Sequence, residues 1–230
     1  MRALILALLL PFTPATGAAA AERGFSVTSF ERLRLEGPFE LRVAVGGPPS
    51  ARAQGDPATL ERLVLQQDGT TLTVRLGTAG SSERFGAPRQ PPVITLTTPV
   101  LRTATVLGGR LQVSGMRGQR LDLSVNGAGA LSAEGLRADM LNVVLIGNGT
   151  LALAGQGART ALLMNGAGTI DASGLRADDL TVRLDGNGEI RAAARYTARV
   201  SSTGLGRVSV SGNPACKVAP PDNALVRCGR

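Results

Sequence analysis

From Leu101 onward, apolar and polar residues alternate in short runs, and a glycine turn interrupts each run. In register the chain reads LRTATVLGGRLQVSGMRGQR, LDLSVNGAGALSAEGLRADM, LNVVLIGNGTLALAGQGART, ALLMNGAGTIDASGLRADD, LTVRLDGNGEIRAAARYTAR and VSSTGLGRVSVSGN. The second glycine of each turn falls at Gly109, Gly129, Gly149, Gly168, Gly188 and Gly206, in steps of 20, 20, 19, 20 and 18 residues. Before the turn, Leu121, Leu123 and Val125 recur as Leu141, Val143 and Leu145, as Leu162 and Met164, and as Leu180, Val182 and Leu184. After it come Leu131 and Ala133, Leu151 and Leu153, Ile170 and Ala172, and Ile190 and Ala192. Strict alternation is the signature of a strand with one buried face.

A unit of this length cannot bury its own apolar face. Stacked at the ~4.8 Å spacing of paired strands, like residues cover like. The expected fold is therefore all-β, a right-handed parallel β-helix (β-solenoid) with rungs of about 20 residues. A propeller blade would need about twice that length. Glycine at the corners supplies positive φ or close backbone approach. A further corner is expected at Gly115, Gly135, Gly155 and Gly174.

The chain before Leu101 is less regular. Phe30–Glu36 and Phe39–Val45 alternate as strands, and Thr71–Leu76 and Val93–Thr98 read the same way. Asp56–Arg62 reads as a short capped helix, with Asp56 as cap, Pro57 in the first turn and Glu61 near a capping-box position. Residues 77–92, rich in Gly, Ser and Pro, read as a loop. The expected organisation is residues 1–21 as a signal peptide, 22–100 as an N-terminal β part with the first rungs, 101–212 as repeated rungs, and 213–230 as a C-terminal cap.

Arg2, the apolar run Leu4–Leu10 and Ala19-Ala20-Ala21 carry the signal-peptide reading, with cleavage before Glu22. The run is well short of the ~18 residues of a membrane span, so no transmembrane segment is expected in the mature chain. Export places the protein in the periplasm or at the cell surface. In that setting Cys216 and Cys228 read as one disulfide.

The formal net charge is +8, almost entirely from arginine, since Lys217 is the only lysine. Basic surfaces suit nucleic acid, anionic lipid or acidic polysaccharide. Export and the scarcity of aromatic residues (3 %) argue against nucleic acid.

SFERLRLEGPFELRV at 29–43, GDPATLERL at 55–63, DGTTLTV at 68–74, PPVITLTTPVL at 91–101 and the later NGAG and GNG turns resemble the GIN-domain family, described as auto-transporter adhesin heads. The resemblance implies an exported β-helical domain with no defined biochemical role. No stretch reads as a membrane-inserting barrel, so autotransport by this chain alone is not expected.

Some β-helices act on polysaccharides, which makes acid–base pairs the chemistry to look for. Asp122, Asp139, Asp171, Asp178, Asp185 and Glu189 are the candidates, with Arg183 or Arg191 as charge stabilisers. Asp122 and Asp185 stand about three rungs, ~14 Å, apart, and there is no histidine. No catalytic residue is expected. Asn126, Asn148, Asn165, Asp185 and Asn187 populate the turns without the Gly-Gly-x-Gly-x-Asp calcium pattern, so no metal and no cofactor is expected.

Function is expected on the outer surface. Alternation sends Val144, Ile146 and Leu163 outward on adjacent rungs, with Val106 on the same sheet. This is a candidate face for self-association, for a ligand, or for a covering segment. The chain thus reads as an exported, non-catalytic binding, adhesion or scaffold protein, whose partner is itself or a cell-envelope polysaccharide. A polysaccharide-active lyase or hydrolase and a purely structural self-associating protein are the alternatives.

Overall fold

The computed structural model describes residues 21–77, 91–219 and 225–229. Residues 1–20 of the expected 1–21 signal peptide and most of the 77–92 loop lie outside the described residues.

The described residues form a β-solenoid of about 6 turns and are 73% strand and 3% helix. Its regular part runs through β10 (Arg117–Asn126), β11 (Ala130–Gly147), β12 (Thr150–Gly166), β13 (Thr169–Gly186), β14 (Glu189–Thr203) and β15 (Arg207–Gly212). Each long strand bends through a full corner. β11, for example, supplies residues 130–133 to one sheet, 136–140 to a short third side and 141–147 to another sheet.

The parallel register places Leu121 beside Leu141, Leu162 beside Val182 and Leu131 beside Leu151. All are buried in one continuous core. The apolar columns of the sequence are therefore the interior. Two polar residues break them. Thr160 takes the place of Leu141 on the next rung, and Ser202 takes that of Leu184. Both are buried, and neither hydroxyl has a hydrogen-bond partner.

The corners divide the work of their two glycines. Of the six second glycines, only Gly109 has positive φ; in the next five turns it falls on the first, at Gly127, Gly147, Gly166, Gly186 and Gly204. The second glycine instead permits contact between rungs. A Cβ on Gly168 would lie 2.5 Å from the carbonyl oxygen of Gly149, the oxygen that accepts the Thr169 N–H at 3.0 Å.

The N-terminal part does not stack in sequence order. β2 (Arg32–Glu36) and β3 (Glu40–Val45) form a rung lying between two later ones. On one side are β6 (Thr71–Leu76) and β7 (Val93–Thr98); on the other are β8 (Thr103–Val106) and β9 (Arg110–Ser114). The intervening chain forms the end of the stack. β4 (Ser50–Gly55) pairs antiparallel with β7, and β1 (Ala21–Phe25) pairs antiparallel with β4. β5 (Leu63–Asp68) pairs antiparallel with β6. Between β4 and β5 lies α1 (Pro57–Arg62), where the Asp56 carboxylate accepts the Thr59 N–H at 3.1 Å. Thr59, not Glu61, is the third helical residue, so no capping box forms. Leu60 packs into the core, and Arg23 of β1 donates to its carbonyl at 2.8 Å.

At the other end, β16 (Ala215–Val218) pairs in parallel with β14, and β17 (Val226–Cys228) pairs in parallel with β15. The Cys216–Cys228 disulfide joins these two strands. The tail thus adds strands to both sheets and ties them across the last rung.

Candidate functional site

The outer face of the first sheet carries the expected apolar trio. Val144 and Leu163 are register neighbours, half-buried against each other, and Ile146 is 49% exposed. Their columns continue in polar residues: Ser124 and Arg183 flank Val144 and Leu163, and Asn126 and Asn165 flank Ile146. Val106 does not belong to this face. It lies in register with Val125 and Leu35 and is fully buried. The sequence alternation extends across the glycine turn differently in that rung, and inward is where β8 puts it.

Of the candidate carboxylates, Asp122, Asp171, Asp185 and Glu189 are each held by neighbouring donors. Asp122 accepts from Arg120 Nε at 3.1 Å and from Asn142 Nδ2 at 2.9 Å. Burial pushes its pKa up, but these bonds and the Arg120 charge together hold it below the usual carboxylate range. Asp171 is lowered by the hydroxyl and then the backbone N–H of Ser173. Asp185 is lowered by the hydroxyl of Thr203 and then by Arg183. A carboxylate held ionised this way is a weak base and a poor acid near neutral pH. Asp122 and Asp185 occupy different columns as well as different rungs, and no step brings them together. In the turns, Asn187 accepts from the Leu205 N–H at 3.4 Å, and Asp185 from Thr203 at 2.6 Å. Among the described residues, no three His, Cys, Asp or Glu side chains group as metal ligands.

A recurrent device organises the exposed charges. On the two main sheets, arginine pairs with a carboxylate two residues away on the same strand face. Examples are Arg34–Glu36, Arg42–Glu40, Arg120–Asp122, Arg183–Asp185 and Arg191–Glu189. The third side departs from this rule. Arg137 and Asp139, and Arg176 and Asp178, have the same two-residue spacing, yet neither pair is within ion-pair distance among the described residues. All four line a shallow groove of about 450 Å³, floored by Gly118, Ala138, Gly157 and Ala158 and continued by Gln156 and Arg195.

A β-bulge completes the groove. Ala177 pairs with Ala194 and Asp179 with Thr197, so both Arg195 and Tyr196 stand opposite Asp178. Both are exposed, and the Arg195 guanidinium lies 4.7 Å from the Tyr196 ring centroid. The sequence reading missed this feature. Its signal was present, because three residues separate the inward Ala194 and Ala198 where two separate Ala177 and Leu180.

Residues 29–214 match the model of the family described as "Putative auto-transporter adhesin, head GIN domain". The chain belongs to this family. Solved structures share the GIN-domain fold over nearly the whole length. One, titled a putative adhesin, from Bacteroides fragilis, is 22% identical with a TM-score of 0.79, covering 93% of this chain and 95% of that one. Another, from Parabacteroides distasonis, also titled a putative adhesin, is 16% identical with a TM-score of 0.68, covering 92% and 94%. A third, from the same species, titled a putative lipid binding protein, is 15% identical with a TM-score of 0.66, covering 92% and 94%. At these identities the likeness shows the fold. A search of curated proteins finds no match. Among the described residues of this GIN domain, no helix is long and apolar enough to cross a membrane.

Proposed function

We propose that this GIN domain is an exported, non-catalytic binding or adhesion module of the cell envelope. The observation that carries the reading is the uncovered apolar trio on a rigid sheet. Val144, Ile146 and Leu163 project from adjacent rungs whose backbones are locked in parallel register. No described segment packs over Ile146, which remains 49% exposed. Water-facing apolar groups on a rigid support favour contact with another surface. Four of the six carboxylates expected to do chemistry support the same reading, because Asp122, Asp171, Asp185 and Glu189 are each committed to a neighbouring donor. Family membership and the disulfide fit an exported protein.

The test is the oligomeric state of residues 22–230 under non-reducing conditions, by size-exclusion chromatography with light scattering. The native chain is expected to self-associate, and the Ile146→Ser, Leu163→Ser double variant to shift towards monomer with an unchanged far-UV spectrum. A native chain that is monomeric at every concentration, or a variant that associates as the native chain does, would overturn the role given to this face.

A further inference from the structure

We propose that the groove on the third side binds an acidic polysaccharide lying along the solenoid axis. This deepens the binding-module reading and rests on it. The first support is the contrast in charge pairing. Elsewhere an arginine two residues from a carboxylate on the same face closes an ion pair, whereas Arg137/Asp139 and Arg176/Asp178 stay open at the same spacing. An unpaired guanidinium presents a planar donor fork that suits a carboxylate or sulfate bidentately. The neighbouring aspartates accept only, and sugar hydroxyls are donors they can use.

Spacing selects among polyanions. Arg137 and Arg176 lie two rungs apart, about 9.6 Å along the axis. Arg195 lies on the rung beyond. Duplex nucleic acid carries a charge every ~1.7 Å of its axis, far denser than these cations, and Asp139 and Asp178 would face its phosphates. An acidic polysaccharide carries hydroxyls beside its acid groups, and along the axis the groove sets a column with Arg137 and Arg176 beside a parallel column with Asp139 and Asp178. The bulge is the second, independent support. It sets Tyr196, 53% exposed, next to the groove residue Arg195, whose guanidinium lies over the Tyr196 ring. A tyrosine face beside a cation is a platform for the apolar face of a sugar ring next to its acid group. Bulges re-aim side chains in this way next to functional sites.

The experiment measures binding of residues 22–230 to immobilised polygalacturonate, with neutral dextran, single-stranded DNA and anionic phosphatidylglycerol vesicles in parallel. Expected are retention on polygalacturonate that weakens with salt, none on dextran, and weaker retention on DNA and vesicles. The Arg137→Ala, Arg176→Ala, Arg195→Ala variant should bind polygalacturonate at least about tenfold more weakly, as loss of charged hydrogen bonds implies. The charge-matched variant Arg110→Ala, Arg207→Ala, Arg227→Ala, on the second sheet, should bind as the native chain does. Tyr196→Ala should weaken binding without changing net charge. Equal losses from the two triple variants, equal retention on DNA or vesicles, or no retention on polygalacturonate would each overturn the assignment. In the last case the Ile146/Leu163 association assay still judges the binding-module reading by itself. Release of new sugar ends from bound polygalacturonate would instead overturn the non-catalytic reading.

Discussion

Thr98 and Phe30, 68 residues apart in the chain, exchange two hydrogen bonds inside the protein. The Thr98 hydroxyl donates to the Phe30 carbonyl at 2.7 Å and accepts from the Phe30 N–H at 3.3 Å. Both residues are fully buried. The pair fastens the approach to the rung formed by β2 and β3 to the end of β7, where stacking departs from sequence order. Replacing Thr98 with Val keeps the shape and leaves two backbone groups unsatisfied. The expected cost is about 2–3 kcal/mol, read as a lower urea midpoint. An unchanged midpoint would mean that water replaces the hydroxyl.

Gly168→Ala is expected to destabilise strongly, although it adds only a methyl group. That carbon would sit 2.5 Å from the Gly149 carbonyl oxygen, and the obstruction is backbone on the neighbouring rung. The rungs would have to separate at that corner, on the order of 2–4 kcal/mol. Gly127→Ala offers the contrast, because nothing lies within 4 Å of its added carbon and only the positive φ resists. Thermal melts of the two variants should differ, with Gly168→Ala the lower.

Thr160→Val should stabilise. The hydroxyl is buried without a partner, in a column otherwise filled by Leu121, Leu141 and Leu180. Removing an unsatisfied polar group at constant shape gains about 1 kcal/mol. A melting point at or below that of the native chain would show that the hydroxyl is satisfied in solution.

Acid should weaken the fold through Asp122, Asp171 and Asp185. In the folded protein each titrates below the usual aspartate range. The unfolded chain therefore takes up protons first. Their stabilisation is complete well above pH 4 and is lost as pH falls through the folded values. Urea midpoints should be flat from about pH 7 to 5 and drop below about pH 4. Replacing all three by Asn should flatten the drop. An unchanged drop would assign it to other carboxylates.

The Cys216–Cys228 bond closes a separation of 12 residues. Cross-linking a loop of that size stabilises by roughly 3 kcal/mol in the chain-entropy account. The effect should be local, because β16 and β17 each pair on one side only, along the last rung. Reductant should expose the tail beyond Gly212 to limited proteolysis while the preceding rungs stay intact. Cleavage at the same rate with and without reductant would show that the strand pairing alone holds the tail.

The repeated rungs were legible in the sequence because stacking demands repetition. Leu123, Val143, Leu162 and Val182 must match for neighbours to cover one another, so spacing and alternation appear in one dimension. The same holds for α1, whose cap and first turn are local. The end of the stack was not legible. β4 buries only Ala51 and Ala53, too small to mark a strand by hydrophobicity, and β1 and β5 pair antiparallel outside the repeat.

Local chemistry thus prescribed the rung, its turn glycines and its apolar columns, because each depends on residues close together or on a fixed period. The stack alone decided which rung lies against which, and that the first rung in sequence would be enclosed by later ones. It also decided the charges. Arg183–Asp185 and Arg137/Asp139 have the same spacing in one dimension, but the first closes an ion pair and the second lines an open groove. The first pair lies on a main sheet and the second on the short third side, where the backbone takes a different path. Pairing of long flexible side chains depends on where neighbouring rungs place their backbones, and no spacing along the chain encodes it.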